Sequence, residues 1–309
     1  MTAVHVPDEL RRNVTTCHGR AGAEWLGALP SILDACAARW SLRLGRPFAP
    51  LSYNYVVAAE RADRARAVLK VGVPCRELRT EAAALQLYDG RGCARLLDAD
   101  AQLGALLIER LEPGTPLSAG LVTEADDEEA TVTAAAVMRA LWRPFPAAHD
   151  FPSVADWGEG FKRLRARFGG GSGPLPAALV DEAEALYAAL LDTAGEPVLL
   201  HGDLHHYNIL AAGRGRWLAI DPKGVVGEPA FEVTALLHNP AGLLEMRRPG
   251  EVLARRVELL ARELNLERGR VRGWGVAQLV LSAWWSLEDH GEGWERGVEC
   301  ARLLAAVKE

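Results

Sequence analysis

His201-Gly202-Asp203-Leu204-His205-His206-Tyr207-Asn208-Ile209-Leu210 is the stretch on which the reading of this chain turns. Apolar residues on either side predict short strands over Val198 to Asp203 and Ile209 to Ala212, so the polar residues sit on a loop between rigid flanks. Just downstream, Leu218-Ala219-Ile220-Asp221-Pro222-Lys223 places Asp221 at the end of a third short strand, Trp217 to Asp221. Phosphoryl transfer needs a carboxylate facing an acceptor hydroxyl and oxygen ligands that hold Mg²⁺ on nucleotide phosphates. An H-x-D-x-x-x-x-N loop followed by a strand-end Asp contains those parts. In that chemistry Asp203 accepts the hydroxyl proton, and Asn208 and Asp221 ligate the metal. Taken singly, each is an ordinary turn residue. Together, at these spacings and between apolar strands, they point to a site.

Imidazoles beside carboxylates also suit zinc or a transition metal, so His201, His205 and His206 leave a metal-hydrolase reading open. It gives Asn208 and the first third of the chain nothing to do. His201 and His205 are read instead as orienting the loop by hydrogen bonding.

The H-G-D-L-H-x-x-N loop and the Ile220-Asp221-Pro222-Lys223 element resemble those of the aminoglycoside phosphotransferase branch of the protein-kinase-like fold. With Gly224 and Gly227-Glu228-Pro229, they are similar to the streptomycin 6-kinase and hydroxyurea phosphotransferase group. The resemblance runs from about Trp40 to Asp289. Gly202 stands where protein kinases carry Arg, and Pro222-Lys223 where they carry Phe-Gly, which argues against control through an activation loop. The resemblance implies an α+β bilobal fold, with a small antiparallel-sheet lobe and a larger helical lobe.

Outward from the loop, the chain reads in two parts. Residues 1–112 are predicted to hold an N-terminal helical extension and the small lobe, with a helix over Pro30 to Trp40 and strands around Tyr53 to Val57, Ala67 to Val71, Ala94 to Leu97 and Ala105 to Ile108. Between them a helix is predicted over Arg76 to Tyr88, and a turn over Asp98 to Gly104. Pro113-Gly114 breaks the chain. Residues 113–309 are predicted to be mainly helical, over Asp126 to Trp142, Val154 to Phe168, Pro176 to Leu191, Glu251 to Leu264, Arg270 to Asp289 and Glu292 to Val307. Gly169 to Pro174 reads as a flexible surface loop.

Lys70, flanked by apolar residues in Val68-Leu69-Lys70-Val71, resembles the strand lysine of kinases, which pairs the nucleotide phosphates. Glu81 on the following helix is its expected partner, with Glu77 the alternative. No G-x-G-x-x-G precedes it; Pro50 to Tyr55 occupies that place. Glu109 to Glu112, including Leu111, then corresponds to the hinge whose backbone meets adenine. For the acceptor, Glu228 and Glu232 lie just past Asp221, and Trp285 with Glu288 joins an aromatic ring to a carboxylate, as a cationic or sugar-like substrate needs.

Composition sets the outer bounds. The 309 residues are 49% hydrophobic and 25% charged, with 35 basic against 41 acidic side chains and a net charge of -6. No basic excess exists to displace counterions from nucleic acid. Five scattered cysteines without a C-x-x-C pair argue against a disulfide framework or zinc site. Neither a leader-like start nor an apolar run of membrane-spanning length is present, so a cytoplasmic protein without a membrane or nucleic-acid partner is expected. The expectation is an ATP- and Mg²⁺-dependent kinase of a small-molecule hydroxyl, streptomycin-type or, alternatively, hydroxyurea or another metabolite. A nucleotide-binding module without turnover is the remaining possibility.

Overall fold

The computed structural model of the protein describes residues 4–121, 123–213 and 216–308. They form two compact units, divided between Glu112 and Pro113.

The first unit opens with α1 (Asp8–Trp40), far longer than the predicted helix from Pro30. Pro30 looks like a helix start, yet Leu26, Leu29, Leu33 and Cys36 keep helical spacing straight through it and all are buried. The one break is Gly19, at φ 52° and ψ −126°. Five strands follow: β1 (Arg43–Pro47), β2 (Tyr55–Glu60), β3 (Arg66–Val71), β4 (Leu96–Asp100) and β5 (Ala105–Glu109). They form one sheet in the order β1-β2-β3-β5-β4, every pairing antiparallel. Tyr55, Val57 and Ala59 of β2 and Leu69 and Val71 of β3 share a core with the buried residues of α1. The alternate residues of β3, Val68 and Lys70, therefore face the other side of the sheet.

Strand β1 has no counterpart among the predicted strands. Arg43-Leu44-Gly45-Arg46-Pro47 has no apolar alternation, because it is a largely exposed edge strand whose register shifts between Leu44 and Pro47. Strand β4 begins and ends later than predicted. Its two aspartates read as a turn, but an edge strand tolerates them, and Asp100 Oδ1 accepts the N–H groups of Gln102 and Leu103 (both 3.0 Å) to start the real turn. Helix α2 (Arg76–Tyr88) has the predicted bounds.

The second unit contains α3 (Glu124–Leu141), α4 (Val154–Arg167), α5 (Ala177–Asp192), the one-turn α6 (Thr234–Leu237), α7 (Pro249–Leu264), α8 (Arg268–His290) and α9 (Trp294–Ala305). Helix α8 carries the buried core, with Trp274 and Trp284 fully enclosed. Two small ladders interrupt the helices. Strand β6 (Val198–Leu200) pairs with β9 (Val225–Gly227), which has no counterpart among the predicted strands. Strands β7 (Ile209–Ala211) and β8 (Trp217–Ala219) form a hairpin.

Gly169 to Pro174 is not the loose linker its composition suggests. Gly170 N–H bonds Arg165 O (2.8 Å) and Gly171 N–H bonds Phe168 O (3.0 Å), closing the end of α4. A side chain at Gly173 would strike the Phe168 ring, and the buried Ser172 hydroxyl donates to Leu175 O (2.8 Å). Among the described residues, all five cysteines are free and no helix is long and apolar enough to cross a membrane.

Candidate active site

Strand β6 ends in Leu199 and Leu200, both fully buried, and delivers the chain to His201. The His201 ring organises the loop beyond it. Its Nδ1 accepts the Asp203 N–H (3.2 Å), so the proton sits on Nε2, which donates to Ile220 O (2.8 Å). Burial pushes the imidazole down to about 4, so it is neutral near pH 7. Its carbonyl accepts N–H groups from Lys223 (2.8 Å) and Gly224 (3.2 Å), while Ile220 N–H bonds Asn208 O (2.9 Å). One histidine thus ties the loop carrying Asp203 to the segment carrying Asp221.

Asn208 is nearly buried, and its amide nitrogen donates to Asp203 O (3.0 Å). With its NH₂ used inside the loop, the side-chain oxygen is the group left for a ligand. Asp203 keeps 37% of its side chain exposed, and His205 Nε2 lies 3.7 Å from its Oδ1. Asp221 sits at φ 63°, a left-handed conformation uncommon for a residue with a side chain. Backbone held in such a region belongs to positions that the surroundings over-determine. Gly202 is left-handed too (φ 84°), and a side chain there would meet Val225 at 2.9 Å and the Trp157 ring at 3.1 Å.

In the first unit, Lys70 Nζ lies 2.7 Å from both carboxylate oxygens of Glu81, and the pair is almost fully buried. Glu81, not the alternative Glu77 one turn earlier, is therefore the partner of this ammonium. Glu109 closes β5, its N–H bonding Arg95 O (2.9 Å), and Leu111 follows half-buried.

Three of the expected acceptor contacts have other work. Glu228 is buried: Arg270 Nε donates to both its oxygens (2.7 and 2.8 Å), and the Trp274 indole and Gly195 N–H also donate to it. It anchors α8 and leaves no edge for a substrate. Glu232, 1% exposed, accepts the N–H groups of His201 (2.7 Å) and Gly202 (2.9 Å). It holds the loop from behind, and burial raises its carboxyl to about 7. Glu288 is matched by Arg163 in a two-point pair (2.9 and 3.0 Å). Trp285 remains half-buried and meets Trp157 edge-on, ring centres 5.6 Å apart.

Sequence reasoning misses Glu232's real task and misses Trp157 altogether. Nothing in sequence marks a helix-borne Trp that packs on a loop 45 positions on. Among the described residues, no three His, Cys, Asp or Glu side chains converge to hold a metal by themselves.

A buried strand lysine paired with a helix glutamate, and a loop-borne Asp/Asn pair tied to a strand-end Asp, define a protein-kinase-like class. Residues 40–290 match the family of aminoglycoside/hydroxyurea antibiotic resistance kinases, and the chain belongs to that family. It is 32% identical over 305 residues to the streptomycin 6-kinase of Streptomyces griseus, covering 93% of this chain and 92% of that one. It is 37% identical over 296 residues to the hydroxyurea phosphotransferase of Kitasatospora aureofaciens, covering 93% and 81%. Among solved structures, it is similar in fold to an aminoglycoside phosphotransferase in ternary complex with ADP and hygromycin B (TM-score 0.63, 14% identity, 89% of this chain and 96% of that one). The choline kinase LicA from Streptococcus pneumoniae is similar too (TM-score 0.60, 14% identity, 90% and 99%).

Proposed function

We propose that the protein transfers the γ-phosphoryl group of ATP to a hydroxyl of a streptomycin-type aminoglycoside, in the cytoplasm where ATP is supplied, and so confers resistance. The observation that carries this reading is the His201 staple, which fixes the Asp203 backbone and the Asp221 segment to one ring. Asp203, the exposed carboxylate of the loop, is the group positioned to accept the acceptor's hydroxyl proton. Lys70, held by Glu81, pairs the nucleotide phosphates, and the backbone from Glu109 to Leu111 meets the adenine.

Asn208 and Asp221 would hold Mg²⁺. Two oxygen ligands on adjoining segments suit a hard cation that keeps waters and phosphate oxygens in its remaining positions. When bound, that ion supplies charge neutralisation on the phosphates. The second reading, hydroxyurea as acceptor, is favoured by the higher identity to the hydroxyurea phosphotransferase.

The test is ADP release by the purified protein with ATP-Mg²⁺ and either acceptor. Streptomycin should stimulate release, and expression should raise the streptomycin concentration a sensitive host survives. Asp203→Asn should cut kcat by roughly 10²–10⁴ with nucleotide affinity retained. Near wild-type kcat in that variant would remove Asp203 from the chemistry.

A further inference from the structure

The acceptor carboxylates expected from sequence are occupied, but an aromatic pair stands beside the loop. Ser153 caps α4 through a reciprocal pair of bonds with Asp156 (3.0 and 2.7 Å), and Val226 N–H of β9 bonds Pro152 O (2.8 Å). The start of α4 is thereby tied to the ladder that delivers His201. Trp157 sits on that first turn, its ring edge against the Gly202 backbone, one residue from Asp203.

Helices α4 and α8 approach closely because position 160 is glycine. A side chain there would strike Leu281 at 2.5 Å and the Trp285 indole nitrogen at 3.1 Å. The approach sets Trp157 against Trp285 at 90°. Both rings are half-buried, and neither indole N–H has a hydrogen-bond partner among the described residues.

Charge on the two helices is largely matched. Arg163 pairs with Glu288, and Lys162 with Glu159 (2.7 Å). Asp289, one helical turn beyond Trp285, makes no hydrogen bond or ion pair among the described residues. It has Arg163 and His290 as favourable neighbours and Glu288 as an unfavourable one, and partial burial raises its carboxyl.

We propose that Trp157 and Trp285 form the wall against which a guanidinium- or ammonium-bearing, ring-shaped acceptor lies beside Asp203, with Asp289 as its counter-charge. The proposal rests on the phosphotransferase reading. An indole face attracts a cation through its ring quadrupole, and its broad apolar area packs against a sugar-like ring. Hydroxyurea, small and neutral, gains little from such a wall.

The test compares KM for streptomycin and for hydroxyurea at saturating ATP-Mg²⁺ in the wild type and in Trp157→Leu, Trp157→Phe and Asp289→Asn. Trp157→Leu should raise KM for streptomycin about tenfold, while kcat changes by less than about threefold. Trp157→Phe, which keeps an aromatic face, should recover most of the loss. KM for hydroxyurea should move less than about twofold in any of them. Asp289→Asn should raise KM for streptomycin and flatten its dependence on salt.

An unchanged streptomycin KM in Trp157→Leu sinks the wall while leaving the kinase intact. So does an equal rise for both acceptors, which would mark a packing role, or turnover of hydroxyurea alone. Absence of ADP release with any acceptor in the wild type sinks the phosphotransferase reading itself.

Discussion

Glu232 shows how little a single charge says about itself in sequence. It lies eleven residues beyond Asp221, where sequence places a substrate carboxylate, yet both oxygens accept backbone N–H groups of His201 and Gly202. An ionised carboxylate accepts such bonds more strongly than a protonated one, so these two bonds tighten as the group ionises near pH 7, although burying that charge costs the fold stability. Glu232→Gln keeps the size but turns an NH₂ toward one of the two donors. It should lower kcat by roughly tenfold or more, the cost of one unmatched buried donor. Wild-type kcat should climb with pH through about 7, and that rise should be missing in the variant. A pH–rate profile of the two checks it; identical profiles would mean that Glu232 holds nothing the reaction needs. The residues legible in sequence, His201 to Asn208 and Asp221, meet through bonds within the loop or to the next hairpin. Glu228 and Glu232 are not legible, because a carboxylate looks the same in sequence whether it faces water or a donor over thirty residues away.

Among the elements, the least legible feature is what holds α6 in place. Arg256 of α7 is fully buried, bonded through Nε and Nη2 to Asp127 of α3 and through Nη1 to the carbonyls of Leu236 (2.8 Å), Leu237 (3.0 Å) and Asn239. The end of a one-turn helix, which cannot satisfy its own carbonyls, is closed by a side chain from another helix. Arg256→Ala should cost about 3–5 kcal/mol, since Asp127 is left buried without its partner. Asp127→Ala combined with it should cost clearly less than the two single losses together. Chemical denaturation of the three variants measures this, and additive losses would show that the pair is not coupled. Elements with many local cues, such as α2 and the amphipathic helices, are legible nearly to the residue. Those lacking a period, β1 and β9, are not, and in α1 the buried stripe overrides a proline that reads as a start.

At the scale of the whole molecule, buried titratable groups in the second unit set its response to acid. Burial pushes His201 and His238 down to about 4 and His206 down to about 2, against an ordinary 6.5. As pH falls below about 6.5, the unfolded chain takes up three protons that the native state refuses, and stability falls. Glu232 works in the opposite direction: its carboxyl, raised to about 7 from 4.5, binds a proton in the native state first. Between about pH 6.5 and 4.5 the unfolded state therefore holds a net excess of two protons. That excess removes roughly 2–3 kcal/mol of stability per pH unit. Against a total of about 5–15 kcal/mol, two pH units take away a large share of the fold. Denaturant midpoints measured from about pH 8 to about pH 5 should hold steady at the alkaline end and drop steeply below about 6.5. His206 gives the cleanest control, because neither of its ring nitrogens has a partner among the described residues. His206→Leu removes one of the three protons and should reduce the slope by about 1.4 kcal/mol per pH unit. A stability profile that stays level from about pH 7 to about pH 5, or a slope untouched in His206→Leu, would show that these imidazoles are not held neutral by burial.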